Sequence, residues 1–145
     1  MTSSQILAIS GILTGERART RDLISYAVSL AGTSGPASFC FIPTAEGDNP
    51  AGAFSNGLGW LPWSNGVHDD LGDQPRRTAY RQLVASGALP GGYATEDGVG
   101  LHHVDGTLHE AVSVLPDART WKVDPNGSSG FRETEIVPRY VVRQP

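Results

Sequence analysis

The sequence pattern of the first third of the chain limits the possible folds most, because it predicts a strand, a helix and a second strand. Residues 5–10 (QILAIS) form a short apolar run before Gly11, and residues 38–42 (SFCFI) form a second one before Pro43. Between them, apolar residues recur at helical spacing, at Leu23, Ile24, Ala27, Val28 and Ala31. Uninterrupted apolar runs are typical of buried parallel strands. Because strand–helix–strand units in one sheet are right-handed parallel crossovers, we expect an α/β fold that starts with a βαβ unit.

In the next stretch, apolar residues recur with neither helical nor strand periodicity. Residues 44–65 are rich in Gly and Pro, and structureless loops of that length are uncommon in compact domains. Its Trp60 and Trp63 could line a pocket or cover an exposed sheet edge. We expect one domain over residues 1–145, with the βαβ unit at 1–48, an irregular junction at 49–65, and a helix and short strands at 66–145.

Composition argues against several classes of protein. The net charge of -4 and the absence of a long basic run disfavour nucleic acid as a partner. No apolar stretch is long enough to suggest a membrane span. The single cysteine, Cys40, cannot form an internal disulfide, so we expect a cytoplasmic protein.

The histidines do not predict a metal site from the sequence alone. His102 and His103 are adjacent, and neighbouring residues of a strand point to opposite faces. With His109 they lack a Cys or carboxylate at recognised ligand spacing. We therefore expect no metal. Residues 11–15 (GILTG) lack both the G-x-G-x-x-G spacing and the P-loop lysine, so we expect no nucleotide cofactor either.

Three segments resemble the peptidase E family of serine hydrolases, which includes aspartyl dipeptidases and cyanophycinases. ILAISG is similar to the family's opening strand and FCFIPTAEGD to its second strand. The longest likeness runs from LPWSNGVHDD through GYATEDGVGLHHVDG to ARTWKV and PRYVV, so that most of residues 5–48 and 58–142 are covered. The resemblance implies a flavodoxin-like or class I glutamine amidotransferase-like α/β sandwich, truncated centrally, with a β-rich C-terminal part.

The resemblance also implies a Ser-His-acid triad that hydrolyses short peptides with a preference for N-terminal Asp. His68, in GVHDD, falls at the position of the base. Asp97, in GYATEDG, falls at the position of the acid, with Glu96 as the fallback. Such a carboxylate fixes the tautomer of the imidazole, and the imidazole activates a serine hydroxyl.

The family's nucleophile motif, G-x-S-A-G-A, is absent from the sequence. Its strand-to-helix turn exposes the serine and supplies backbone N–H groups to the oxyanion. We therefore expect an inactive or impaired member. Three alternatives stay open: an active hydrolase with a serine recruited at Ser55 or Ser64 or supplied by a partner chain, a non-catalytic binding or oligomerisation module, and a gene remnant without a stable fold. Loss of central strands would also leave sheet edges through which copies could associate.

Overall fold

The computed structural model describes residues 4–10, 17–32, 60–70, 72 and 75–141. Within these residues the chain forms eight strands and two helices. In chain order they are β1 (Gln5–Ile9), α1 (Arg17–Leu30), β2 (Ser64–Val67), α2 (Arg76–Ala85), β3 (Gly92–Thr95), β4 (Val99–Val104), β5 (Thr107–Ser113), β6 (Thr120–Asn126), β7 (Gly130–Ile136) and β8 (Arg139–Tyr140).

The strands form two mixed sheets of four strands each. The first sheet has the order β1-β4-β5-β8 and the second β2-β3-β6-β7. In the first sheet β4 is antiparallel to both neighbours, and β8 runs parallel to β5. In the second sheet β2 is parallel to β3, whereas β6 is antiparallel to β3 and β7. Among the described strands, the chain passes from one sheet to the other four times, after β1, β3, β5 and β7.

The expected flavodoxin-like or amidotransferase-like α/β sandwich is wrong for the part of the chain that the structure describes. The predicted first strand and helix exist as β1 and α1. However, β1 pairs antiparallel with β4 along its whole length, from Gln5↔Val104 to Ile9↔Gly100. The predicted second strand, residues 38–42, lies outside the described residues. An apolar run indicates that a strand is buried, but not the direction of its neighbour.

Three clusters of apolar side chains show how the two helices and the two sheets pack on one another. Leu23 of α1 packs with Val112 and Val114, on the outer face of the first sheet. Tyr80 and Val84 of α2 pack on the outer face of the second sheet. A third cluster joins the sheets face to face and consists of Tyr93, Val99, Leu101 and Ala111. The layers are therefore helix, sheet, sheet, helix.

Gly66 sets the spacing between β2 and α2. A Cβ atom built there would lie 2.6 Å from Cγ of Tyr80, which is closer than real side chains approach. The missing side chain lets the Tyr80 ring lie directly on the strand. β2 also begins at Ser64, inside the stretch predicted as an irregular junction.

No helix among the described residues is long and apolar enough to span a membrane.

Candidate active site

The carboxyl ends of β1, β2 and β3 meet at one edge of the two sheets. Ser10 follows β1, His68 follows β2 and Asp97 lies in the turn after β3. Backbone hydrogen bonds fasten the three ends together: Ser10 N–H donates to the Val99 carbonyl at 2.8 Å, Gly98 N–H donates to the Ser10 carbonyl at 3.1 Å, and Asp69 N–H donates to the Thr95 carbonyl at 3.1 Å. Residues distant in sequence are thus held at fixed separation.

His68 and Asp97, the residues predicted as base and acid, are in contact. His68 Nδ1 hydrogen-bonds Asp97 Oδ1. The two side chains are about one-fifth exposed, at 23% and 20%, so solvent reaches a dyad that is otherwise enclosed. This is the contact that orients an imidazole for general-base chemistry.

The backbone at His68 is held in an uncommon conformation. Its φ angle is 58°, in the left-handed region that non-glycine residues seldom occupy. Such angles persist only where surrounding contacts enforce them, and they concentrate at functional sites. The enforcing contact comes from Ser10, which is 1% exposed.

Ser10 acts as a clamp rather than as a free hydroxyl. Its Oγ accepts the His68 N–H at 3.2 Å and donates to the Thr95 carbonyl at 3.3 Å. Asp97 is fixed in turn, because its N–H donates to Asp70 Oδ1 at 3.1 Å. The loop after β2 and the turn after β3 are therefore bound to each other on both sides of the dyad.

A buried ion-pair network lies directly beside His68. Asp69, 6% exposed, accepts from Arg81 Nη1 at 2.7 Å and from Arg81 Nη2 at 3.1 Å. Arg77 donates to the same carboxylate at 2.8 Å, and Arg81 also pairs with Glu133. Burial alone would lower the pKa of Arg81, but the hydrogen bonds to Asp69 and Glu133 outweigh it and raise the pKa. The sequence signal that could have indicated this network is the spacing of Arg77 and Arg81, which is one helical turn.

Glu96, the fallback acid, does not face His68. Its Oε2 accepts the backbone N–H of Arg119 at 2.7 Å. Burial raises the pKa of the Glu96 carboxyl, and the Arg119 hydrogen bond partly offsets this. Glu96 therefore fastens the end of β3 to the segment before β6, and among the described residues Asp97 is the one that hydrogen-bonds the imidazole.

Ser64, one of the two serines considered as a recruited nucleophile, lies at the opposite end of β2 from His68. Its Oγ is 2.7 Å from Tyr80 Oη and donates to the Pro90 carbonyl at 2.6 Å. His68 comes four residues after Ser64, which along an extended strand is roughly 13 Å. Ser55 lies outside the described residues.

One group of side chains in the described part of the chain combines metal-ligand chemistry in one place: His102, His109 and Glu110, on β4 and β5. It includes neither His68 nor Asp97.

Comparison with known proteins gives one partial likeness. No protein-family model matches the sequence, and no solved structure matches the chain. The chain is 39% identical over 66 residues to the uncharacterized peptidase YgaJ of Bacillus subtilis (strain 168). That segment is 46% of this chain and 28% of the relative, so the match spans less than a third of the length of the curated protein. The likeness is to a peptidase, and it is no finer than that.

Proposed function

We propose that this chain is a peptidase E-like serine hydrolase that keeps the base and the acid of the triad, His68 and Asp97, but is inactive or severely impaired as a peptidase. The observation that supports this most is the hydrogen bond between His68 Nδ1 and Asp97 Oδ1. The segment similar to a named peptidase adds to it. The parent reaction is hydrolysis of short peptides with N-terminal Asp, without a metal or an organic cofactor, in the cytoplasm.

The dyad has the roles that acyl transfer requires. With Nδ1–H donated to Asp97, the other imidazole nitrogen, Nε2, is left with a lone pair that can accept a proton from a hydroxyl. The carboxylate would stabilise the imidazolium that results. The positive φ at His68 and the Ser10 clamp place the ring before any substrate arrives.

The nucleophile is the missing part. No serine of the sequence stands in G-x-S-A-G-A. Ser10 is buried and donates its proton to a backbone carbonyl, and Ser64 is bonded at the far end of β2. A base without an aligned hydroxyl and oxyanion donors supplies little rate enhancement.

The first test is the intact mass of the folded protein after treatment with a fluorophosphonate, which acylates activated serines. We expect no adduct, together with a cooperative thermal transition. A stoichiometric adduct that depends on His68 would overturn the proposed inactivity. Its mapping to Ser55 or Ser64 would identify a recruited nucleophile.

The dyad itself is tested separately by the imidazole tautomer, measured from side-chain nitrogen chemical shifts by NMR. We expect neutral His68 to carry its proton on Nδ1, because Asp97 accepts it. The variant Asp97→Asn should lose this preference. Asp70→Asn is the matched control and should keep it, since Asp70 contacts the backbone of Asp97 rather than the ring. An Nε2–H tautomer in the wild-type protein would refute the base assignment.

The non-catalytic alternative also has a specific feature in its favour. Trp60 is 63% exposed and Trp63 is 37% exposed, and Lys122 Nζ lies 4.6 Å from the Trp63 ring centroid. An exposed aromatic pair beside a cation is typical of binding surfaces. A binding module would show no turnover with any short peptide.

A further inference from the structure

Two imidazoles and a carboxylate converge on the face of the first sheet that α1 covers. His102 lies on β4, and His109 and Glu110 lie on β5. One ligand atom from each lies within 4.8 Å of the others. His102 is 4% exposed, whereas His109 is exposed, so the cluster has a fixed inner side and a side open to solvent.

A β-bulge produces this convergence. The register between β4 and β5 pairs His102 with Glu110 but His103 with Leu108, which leaves His109 without a partner. In a regular strand His109 and Glu110 would point to opposite faces. A bulge sets two residues of one strand against one of the other, and it redirects a side chain. The ring centroids of His102 and His109 are consequently 5.2 Å apart.

The imidazole of His102, on the buried side of the cluster, is oriented as in a metal-bound histidine. His102 Nε2 is 3.0 Å from Gln5 Oε1, to which it donates. Its Nδ1 lies 3.3 Å from Tyr26 Oη, but that hydroxyl donates its only proton to Glu110. Nδ1 therefore receives no proton from that hydroxyl, and its lone pair lies beside the Tyr26 oxygen and 4.0 Å from Glu110 Oε1. Metal-bound histidines are typically fixed in this way by a hydrogen bond at the other nitrogen.

Arg139 carries a positive charge beside Glu110, and this charge disfavours the binding of a cation by the cluster. Its Nε donates to Glu110 Oε2 at 2.9 Å and its Nη2 to Oε1 at 3.1 Å. The Arg139 side chain is 56% exposed, so it can move away into solvent. A metal ion would compete with it for the carboxylate.

We propose that His102 Nδ1, His109 and Glu110 bind a divalent first-row metal ion, with Zn²⁺ as the best match to two imidazoles and one carboxylate. Bonds of about 2.0 Å in tetrahedral geometry place ligand atoms roughly 3.3 Å apart. The cluster must therefore contract, and exposed His109 is the ligand free to move inward. The fourth position is left to water or to the Tyr26 hydroxyl. This site does not depend on the proposed function, since it shares no residue with the His68–Asp97 dyad.

The test is titration of the full chain with Zn²⁺ by calorimetry, paired with the visible absorption of a Co²⁺ complex, which reports tetrahedral coordination. We expect one equivalent to bind. The variants His109→Ala and Glu110→Gln should each weaken binding by at least tenfold. His68→Asn is the matched control, and its affinity should equal that of the wild-type protein.

The variant Arg139→Gln adds a test in which metal binding should become tighter rather than weaker. If the guanidinium competes with the ion, its removal should tighten binding several-fold, which a general loss of structure could not do. The proposal is overturned if Zn²⁺ does not bind, if His109→Ala and Glu110→Gln bind as the wild-type protein does, or if His68→Asn abolishes binding.

Discussion

At the scale of single residues, Asp69 and Arg81 bring opposite charges into the interior. Both are almost fully buried, and their two hydrogen bonds are 2.7 and 3.1 Å long. Removing one member of a buried pair leaves an uncompensated charge. We expect Asp69→Asn to lower the free energy of unfolding by about 3–5 kcal/mol, measured by denaturant titration.

Arg77→Met is the matched control for that prediction. Arg77 contacts the same carboxylate, but 45% of its side chain is exposed. Exposed pairs contribute about 1 kcal/mol or less. Equal losses for the two variants would show that burial does not set the strength of this network.

His103 gives a prediction about acid sensitivity. It is 2% exposed, and its buried Nδ1 has no hydrogen-bond partner among the described residues. Burial, and then the neighbouring His102, lower the pKa of His103 below its ordinary value. The unfolded chain therefore takes up the proton first, so stability falls as the pH drops through about 6.5. We expect the melting temperature to fall between pH 7.5 and 5.5, and to fall less in His103→Leu. An unchanged acid dependence in the variant would contradict this.

Some residues of the candidate site could be predicted from the sequence, and others could not. His68 and Asp97 each stand in a recognisable string, and the structure brings the two together. The Ser10 clamp could not be predicted, because it depends on β1 lying beside the ends of β2 and β3. The chemistry of Glu110 was missed for a related reason: its proximity to His102 is a matter of strand register.

At the scale of elements, the close approach of α2 to β2 depends on one glycine. A Cβ atom at residue 66 would overlap the Tyr80 ring, so the helix or the ring must shift. We expect Gly66→Ala to cost about 1–3 kcal/mol of unfolding free energy. Gly72→Ala is the control, since no atom of the described part of the chain lies within 4 Å of a Cβ there. Equal stability of the two variants would show that the contact is adaptable.

Element positions were more predictable than element pairing. The sequence predicted a helix followed by short strands within residues 66–145, and α2 and strands β3 to β8 lie in that range. The antiparallel partner of β1 could not be predicted, because pairing between distant strands has no local signal.

At the scale of the whole molecule, both sheets end in strands that lack an outer neighbour among the described residues. The longest of these is β7, where Phe131 is 40% exposed. Unpaired edges are templates for association. We expect the mass measured by light scattering to rise between micromolar and millimolar concentration, and Phe131→Lys to suppress the rise. A constant monomer mass would refute association through this edge.

The pairing of β1 with β4 also has a consequence for how the protein is made. Ser4 and Asp105, at one end of that pairing, are 101 residues apart. During synthesis β1 leaves the ribosome long before β4 exists, and it must wait as an unpaired apolar segment. Contacts between residues so distant are slow to form, because the intervening chain must close first. The hydrogen bonds of Ser10, and with them the placement of His68, therefore form late, after β4 has been synthesised and has paired with β1.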